Sequence, residues 1–116
     1  MIFYCQFRRQ TKMEKRLEKR LLHSLELMYG GNDTYSPGST RNISRHGMLI
    51  QAENQIFPIH HEVKVLLTLG GEIVSLRGIV CWNSEFFGLE PLTEKQLGIF
   101  IPNPLPEYVD YIERMN

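Results

Sequence analysis

Six residues, Asn42-Ile43-Ser44-Arg45-His46-Gly47, carry the side chains best suited to chemistry in this 116-residue chain. Asn42 offers both a donor and an acceptor, and Ser44 a hydroxyl. Two residues apart on extended backbone, they share one side, while Ile43 points the other way into a core. A polar pair held on a strand end by a buried Ile presents its hydrogen-bonding groups rigidly. Gly47 is expected to supply a sharp bend or a positive φ before the apolar run Met48-Leu49-Ile50, and to let a ligand approach the backbone. Upstream, Arg16-Leu17-Glu18-Lys19-Arg20 places two guanidinium groups four residues apart. A helical turn would set them on one face; a bent linker would wrap them around two sides of a ligand. An Arg fork makes charge-assisted bonds to phosphate and stacks on flat rings. This is the chemistry of non-covalent recognition.

The two patterns in order, R-x-x-x-R and then N-x-S-x-x-G, with 22 residues from Arg20 to Asn42, resemble the signature of the PilZ domain family. That family binds the bacterial second messenger cyclic di-GMP. Each half alone recurs by chance; the order, the interval and the surrounding β pattern make the combination specific. The resemblance runs from about Lys15 to Leu92 and includes Gly78-Ile79-Val80-Cys81-Trp82 and Phe87-Gly88-Leu89-Glu90, which look like the family's closing hairpin. It implies a six-stranded Greek-key β-barrel with a C-terminal helix. It also implies roles for residues. Arg16 and Arg20 would contact guanine and phosphate, since Arg pairs bidentately with guanine O6 and N7. Asn42 and Ser44 would read the remaining guanine edge, and Gly47 would allow close approach. A basic residue at Lys15 tends in this family to accompany a self-stacked ligand dimer. Arg45 could add a phosphate contact, and Trp82 a stacking wall. The family often has Gly where this chain has His46, which makes the loop bulkier here.

Taken singly, each of these residues has a structural alternative. Asn and Ser at strand ends usually bond nearby backbone. Arg in a Lys/Arg/Glu run usually forms a solvated face, as do Lys15 and Arg45 singly, and Trp82 equally suits the core or a barrel rim.

Catalysis finds little support. His60 and His61 point to opposite faces of extended backbone and make a poor metal pair. His23 and His46 stand apart. Ser44 and His46 have neither a G-x-S-x-G elbow nor a third residue to orient the base, and no glycine-rich phosphate loop opens a helix. The expectation is a binding protein without a catalytic residue, metal or cofactor.

The formal net charge is zero, from 13 Lys and Arg against 13 Asp and Glu. Residues 1–20 hold seven basic residues against Glu14 and Glu18, which is +5, so the remainder is −5. A basic arm on an acidic body suits an anionic partner for the arm. Cys5 and Cys81 are the only cysteines. Without a secretory pattern they are expected as free thiols in a reducing cytosol. Met1 to Phe7 is too short for a signal segment, and no run approaches the roughly 20 apolar residues that span a bilayer.

Alternation predicts a strand over Leu21 to Tyr29, in competition with helix, ended by Gly30-Gly31-Asn32-Asp33. Ser36-Pro37-Gly38-Ser39 reads as a loop. Thr40 to Ile43 and Met48 to Gln51 read as strands, and Ile56 to Ile59 as a crossing loop. Glu62 to Leu69 and Glu72 to Trp82 form a hairpin around Gly70-Gly71. After a turn at Asn83-Ser84-Glu85, Phe86 to Glu90 reads as a last strand. Tyr108, Tyr111, Ile112 and Met115 recur at helical spacing over Glu107 to Met115, behind Pro106 at the first turn. The expected organisation is an arm over residues 1–14, an all-β barrel over 15–92, and an extension with a helix over 93–116. Met1 to Phe7 is a short strand or a tail, and Gln10 to Arg20 a helical turn or a linker.

The resulting expectation is a bacterial cytoplasmic cyclic di-GMP receptor whose ligand orders the N-terminal segment to engage an unidentified downstream protein. The alternatives are a PilZ-like interaction module without nucleotide binding, and a small barrel binding single-stranded nucleic acid. The latter would need several exposed aromatic rings, whereas the aromatic residues here fall mostly at alternating, buried positions.

Overall fold

The computed structural model describes residues 21–22, 24–84 and 95–115. Seven strands and one helix follow in order: β1 (Leu21–Leu22), β2 (Glu26–Gly31), β3 (Thr34–Ser44), β4 (Gly47–Ala52), β5 (Glu62–Leu69), β6 (Glu72–Asn83), β7 (Lys95–Phe100) and α1 (Pro106–Met115). All pairings are antiparallel. β2, β3 and β4 form a meander, and β5 returns beside β2, which is the Greek-key order. β6 and β7 follow, and β7 pairs with β4 to close a six-stranded barrel. The two-residue β1 runs along β3 in line with β2. The all-β, Greek-key barrel with a C-terminal helix is therefore as the sequence implied.

Alternation builds the core. Val63, Val65, Leu67 and Leu69 of β5 face Val74, Leu76 and Val80 of β6, all within 9% exposure. Gly70 and Gly71 make the connecting turn at φ 55° and 90°, a backbone that a side chain would strain. α1 closes one end of the barrel: Tyr108 and Ile112, four apart on one face, are buried in the same cluster as Ile43, Met48 and Ile101.

Four sequence expectations change. Leu21 to Tyr29 is broken between β1 and β2, because β3 carries a bulge between Thr40 and Asn42 opposite the break. Thr40 bridges the gap, its hydroxyl accepting from the Leu25 amide at 2.8 Å and its own amide donating to the Leu25 carbonyl. Ser36 to Ser39 is strand, not loop. Pro37 fits there because its carbonyl accepts from the Glu53 amide, so its nitrogen faces the β4 edge just where β4 ends. Gly38 fits because an added Cβ would lie 2.8 Å from the Gln51 carbonyl oxygen. β7 was not anticipated: it is central in the sheet, with Leu97, Gly98 and Ile99 all buried, and so shows no alternation. Finally, Cys81 is disulfide-bonded rather than free; Cys5, the only other cysteine, lies outside the described residues. The readings for Met1 to Phe7, Gln10 to Arg20 and Phe86 to Glu90 also fall outside them.

Candidate functional site

β3 turns Asn42 toward the barrel surface by means of its bulge, whereas Ser44 beyond it is fully buried. Thr40 points inward opposite Ile50, and simple alternation would turn Asn42 inward too. The extra residue, Arg41, resets the period. Ile43 then faces Met48 in the core, both 0% exposed, and Asn42 faces outward opposite Leu49. Asn42 is half-buried, and its Oδ1 is fully buried without a hydrogen-bond partner among the described residues. An acceptor left in that state costs about 1–3 kcal/mol.

A second bulge, between Val80 and Trp82 in β6, does the same for Trp82. Unbroken alternation would place Trp82 on the core face with Val80. The bulge at Cys81 turns it out, and Asn83 takes the buried position, bonding the Phe57 carbonyl at 2.9 Å. The registers then align Asn42, Leu49, Gly98 and Trp82 in one row across β3, β4, β7 and β6. Three strand spacings separate Asn42 from Trp82, about 14 Å. Gly98 carries no side chain, so the row is low between Leu49 and Trp82. On its other edge β3 pairs with β1, Leu22 opposite Asn42 and Leu21 opposite Ile43.

The turn after β3 is fixed from beneath. Ser44 is buried, and its hydroxyl lies 3.5 Å from the Gly47 carbonyl oxygen. The Tyr108 hydroxyl donates to the Ser44 carbonyl at 2.7 Å, with the Gly47 carbonyl 3.0 Å away sharing the same proton. Gly47 opens β4 opposite Ser44 and Phe100. The positive φ expected there is not observed, since Gly70 and Gly71 are the described glycines with that backbone. Chain reversal falls instead to Arg45 and His46. The His46 ring stacks on Phe100 at 6.4 Å and 22°, which accounts for a bulky residue at this position. Arg45 is exposed and pairs with Glu113 of α1 at 2.7 Å.

The structure thus brings Asn42, Ser44, Gly47 and Arg45 together at one barrel end, with Trp82 in the same surface row as Asn42. Lys15, Arg16 and Arg20 lie outside the described residues. Sequence reasoning missed Leu49, Gly98, Phe100 and Tyr108 as parts of the site. Tyr108 had a signal, its place on the apolar stripe of α1; the others are defined only by cross-strand register. Among the described residues, the large hydrophobics that are exposed are Met28, Ile73, Leu105 and Met115, none of them aromatic. No described helix is long and apolar enough to cross a membrane.

Comparison with known proteins agrees with this architecture. The family described as "PilZ domain" matches residues 14–100. A comparison with curated protein sequences gives no match. Among solved structures, the Bacillus subtilis Inhibitor of motility (MotI/DgrA) superposes with a TM-score of 0.65 at 10% identity, covering 92% of this chain and 51% of that one. The chain spans about half the length of that protein, and likeness at this identity concerns the fold.

Proposed function

The chain belongs to the PilZ domain family, and from that premise we propose that it is a cyclic di-GMP receptor and adaptor which binds the dinucleotide through R-x-x-x-R and N-x-S-x-x-G. The observation that carries this reading is the register of β1. Leu21 pairs with Ile43, between Asn42 and Ser44, and Leu22 with Asn42. Arg20 directly precedes Leu21 in the sequence. The chain leaving the Arg motif therefore enters the barrel beside the polar motif. The buried, unpartnered Oδ1 of Asn42 supports the reading further, because a guanine N–H would satisfy it.

In this reading Arg16 and Arg20 take guanine and phosphate, Asn42 reads a guanine edge, and Gly47 admits the ligand to the backbone. Ser44 acts through its position in the turn and, on ligand approach, its hydroxyl. Trp82 bounds the row as a stacking wall, and Lys15 favours a self-stacked ligand dimer. Arg45 reaches phosphate only by giving up Glu113, an exposed pair of a kind typically worth about 0.2–1 kcal/mol.

Signalling follows by population shift: the ligand binds better to the state in which the N-terminal segment is ordered on the barrel, and that state engages a downstream protein. The groups are suited to binding and not to bond cleavage, so cyclic di-GMP is recovered intact. A cytoplasmic site of action belongs to this reading; the disulfide at Cys81, a bond that a reducing cytosol opposes, is the observation against it.

Calorimetric titration of the full chain with cyclic di-GMP tests the proposal. Saturable binding with the ligand recovered unchanged is expected. Absence of binding would leave a PilZ-fold interaction module, and appearance of linear pGpG would make the protein an enzyme.

A further inference from the structure

We propose that the groove between α1 and the β5–β6 hairpin docks a basic amphipathic segment of a partner protein. The groove has a volume of about 610 Å³, within the range of sites that enclose a few side chains. Its apolar lining is Leu69, Val74 and Tyr111, with Met115 at the edge. Its charged rim is Glu72, Glu107 and Asp110 against the single guanidinium of Arg114. α1 has two working faces. Tyr108 and Ile112 enter the core, while Glu107, Asp110, Tyr111 and Arg114, at i, i+3, i+4 and i+7, line the groove. The helix dipole accounts for Glu107 in the first turn and Arg114 in the last. It does not account for Asp110 in the middle, nor for Glu72 on the facing strand. Met115 remains 45% exposed at the groove's edge.

The charge decides the class of occupant. A rim with three carboxylates and one cation repels nucleic acid and anionic membrane surfaces, and it repels the same groove on a second copy. A segment that offers Lys or Arg to the rim and Leu-like side chains to the apolar lining satisfies both parts. The position suits an output. α1 forms one wall of the groove and also holds the Ser44–Gly47 turn through Tyr108 and Arg45 through Glu113. Only this role as an output rests on the receptor reading. Docking is measured without cyclic di-GMP, so failure of one is distinguishable from failure of the other.

The test uses the isotope-labelled full chain and a Lys/Leu amphipathic peptide of about twelve residues, followed by amide chemical shifts. The expected shifts concentrate at Leu69 to Val74 and Glu107 to Met115. Replacing Glu72→Lys with Asp110→Lys should weaken binding about tenfold or more, while Asp33→Lys with Glu53→Lys, at the far end of the barrel, should change it by about twofold or less. All four positions are exposed, so the variants keep their dispersed spectra. Equal losses in the two double variants, or equal binding of a Glu/Leu peptide, would reduce the effect to general attraction and overturn the proposal. So would a dimer abolished by Asp110→Lys, which would assign the groove to a second copy. Peptide binding that emerges only after Arg8, Arg9 and Lys12 are replaced by Ser would assign it to the chain's own basic arm.

Discussion

Tyr108 and Ser44 are 64 residues apart in the chain, and the Tyr108 hydroxyl donates a 2.7 Å hydrogen bond to the Ser44 carbonyl. Both residues are fully buried. The ring fills the barrel end and its polar tip serves the turn between β3 and β4, so one side chain joins the core, the helix and the motif loop. Tyr108→Phe keeps the ring and removes the donor. It removes the hydroxyl donor that the buried Ser44 and Gly47 carbonyls share, at a cost of about 1–3 kcal/mol. Urea unfolding should show a lower midpoint at an unchanged slope, together with weaker cyclic di-GMP binding. Unaltered stability would mean that the hydroxyl contributes nothing to the turn.

Asn42 should behave in the opposite way. Its Oδ1 is buried without a partner among the described residues, so replacing the amide with an apolar group of similar size removes a desolvation penalty. Asn42→Leu is expected to hold or raise the melting temperature while cyclic di-GMP affinity falls about tenfold or more, as loss of a base-edge contact would cause. Reduced stability with undiminished affinity would make Asn42 a structural residue and remove it from the site.

These two residues show what was legible in sequence. The hairpin at Gly70-Gly71, the strands β5 and β6 and the amphipathic α1 follow from patterns contained within each segment. The side of β3 on which Asn42 lies was also readable, because Ile43 and Met48 are apolar neighbours in sequence. What failed depends on partners far along the chain. β7 is short and buried at its three central residues in a row, and only closure against β4 and β6 makes it a strand. Pro37 is tolerated in β3 because of where β4 stops. The outward turn of Trp82 comes from a bulge against β7, which local alternation contradicts. The Arg16 and Arg20 pattern was plain in sequence, whereas the row from Asn42 to Trp82 exists only in the register of four strands.

The Tyr29 phenol introduces a pH dependence. Burial pushes its pKa above 10.0, reinforced by the Glu53 charge and opposed by hydrogen bonds with the Asn54 amide, the Ser36 side chain and the Gln55 carbonyl. Below pH 10 both folded and unfolded chains hold this proton. Above it the unfolded chain releases the proton first, the folded state binds more protons, and stability falls as pH rises. Tyr29→Phe lacks this loss. The stability difference between parent and variant should be constant near neutral pH and shrink above pH 10 in thermal unfolding. A difference that widens there would contradict the sign.

In the proposed receptor, ordering of the N-terminal segment is the step that would turn binding into a signal. Residues 8–20 are strongly basic and poor in apolar side chains, and such a segment buries too little surface to offset its conformational entropy by itself. Phosphates and purine faces supply what it lacks. Amides from about Lys12 to Arg20 should gain protection from hydrogen exchange with cyclic di-GMP, while Val63 to Leu67 and Ile73 to Val80 stay protected throughout. Equal protection of the segment with and without ligand would exclude the switch, although not the binding.

Arg20 offers the sharpest test of recognition, because it separates charge from shape. It directly precedes Leu21, which β1 holds opposite Ile43, and the receptor reading pairs its side chain with the motif at Asn42. Lys at this position keeps the charge and most of the reach but loses the planar fork and the stacking face. If Arg20 only neutralises phosphate, Arg20→Lys should bind cyclic di-GMP nearly as well as the parent. If it pairs with guanine O6 and N7, both bonds and the ring contact disappear together, at about 1–3 kcal/mol. We expect the second outcome: Arg20→Lys should lose nearly as much affinity as Arg20→Ala in calorimetric titration. The salt dependence gives an independent reading of the same distinction. The charge is common to parent and Lys variant, so their affinities should fall in parallel as salt rises, while the Ala variant falls less steeply. Parent-like binding by the Lys variant at every salt concentration would leave Arg20 as a point charge and move guanine recognition elsewhere.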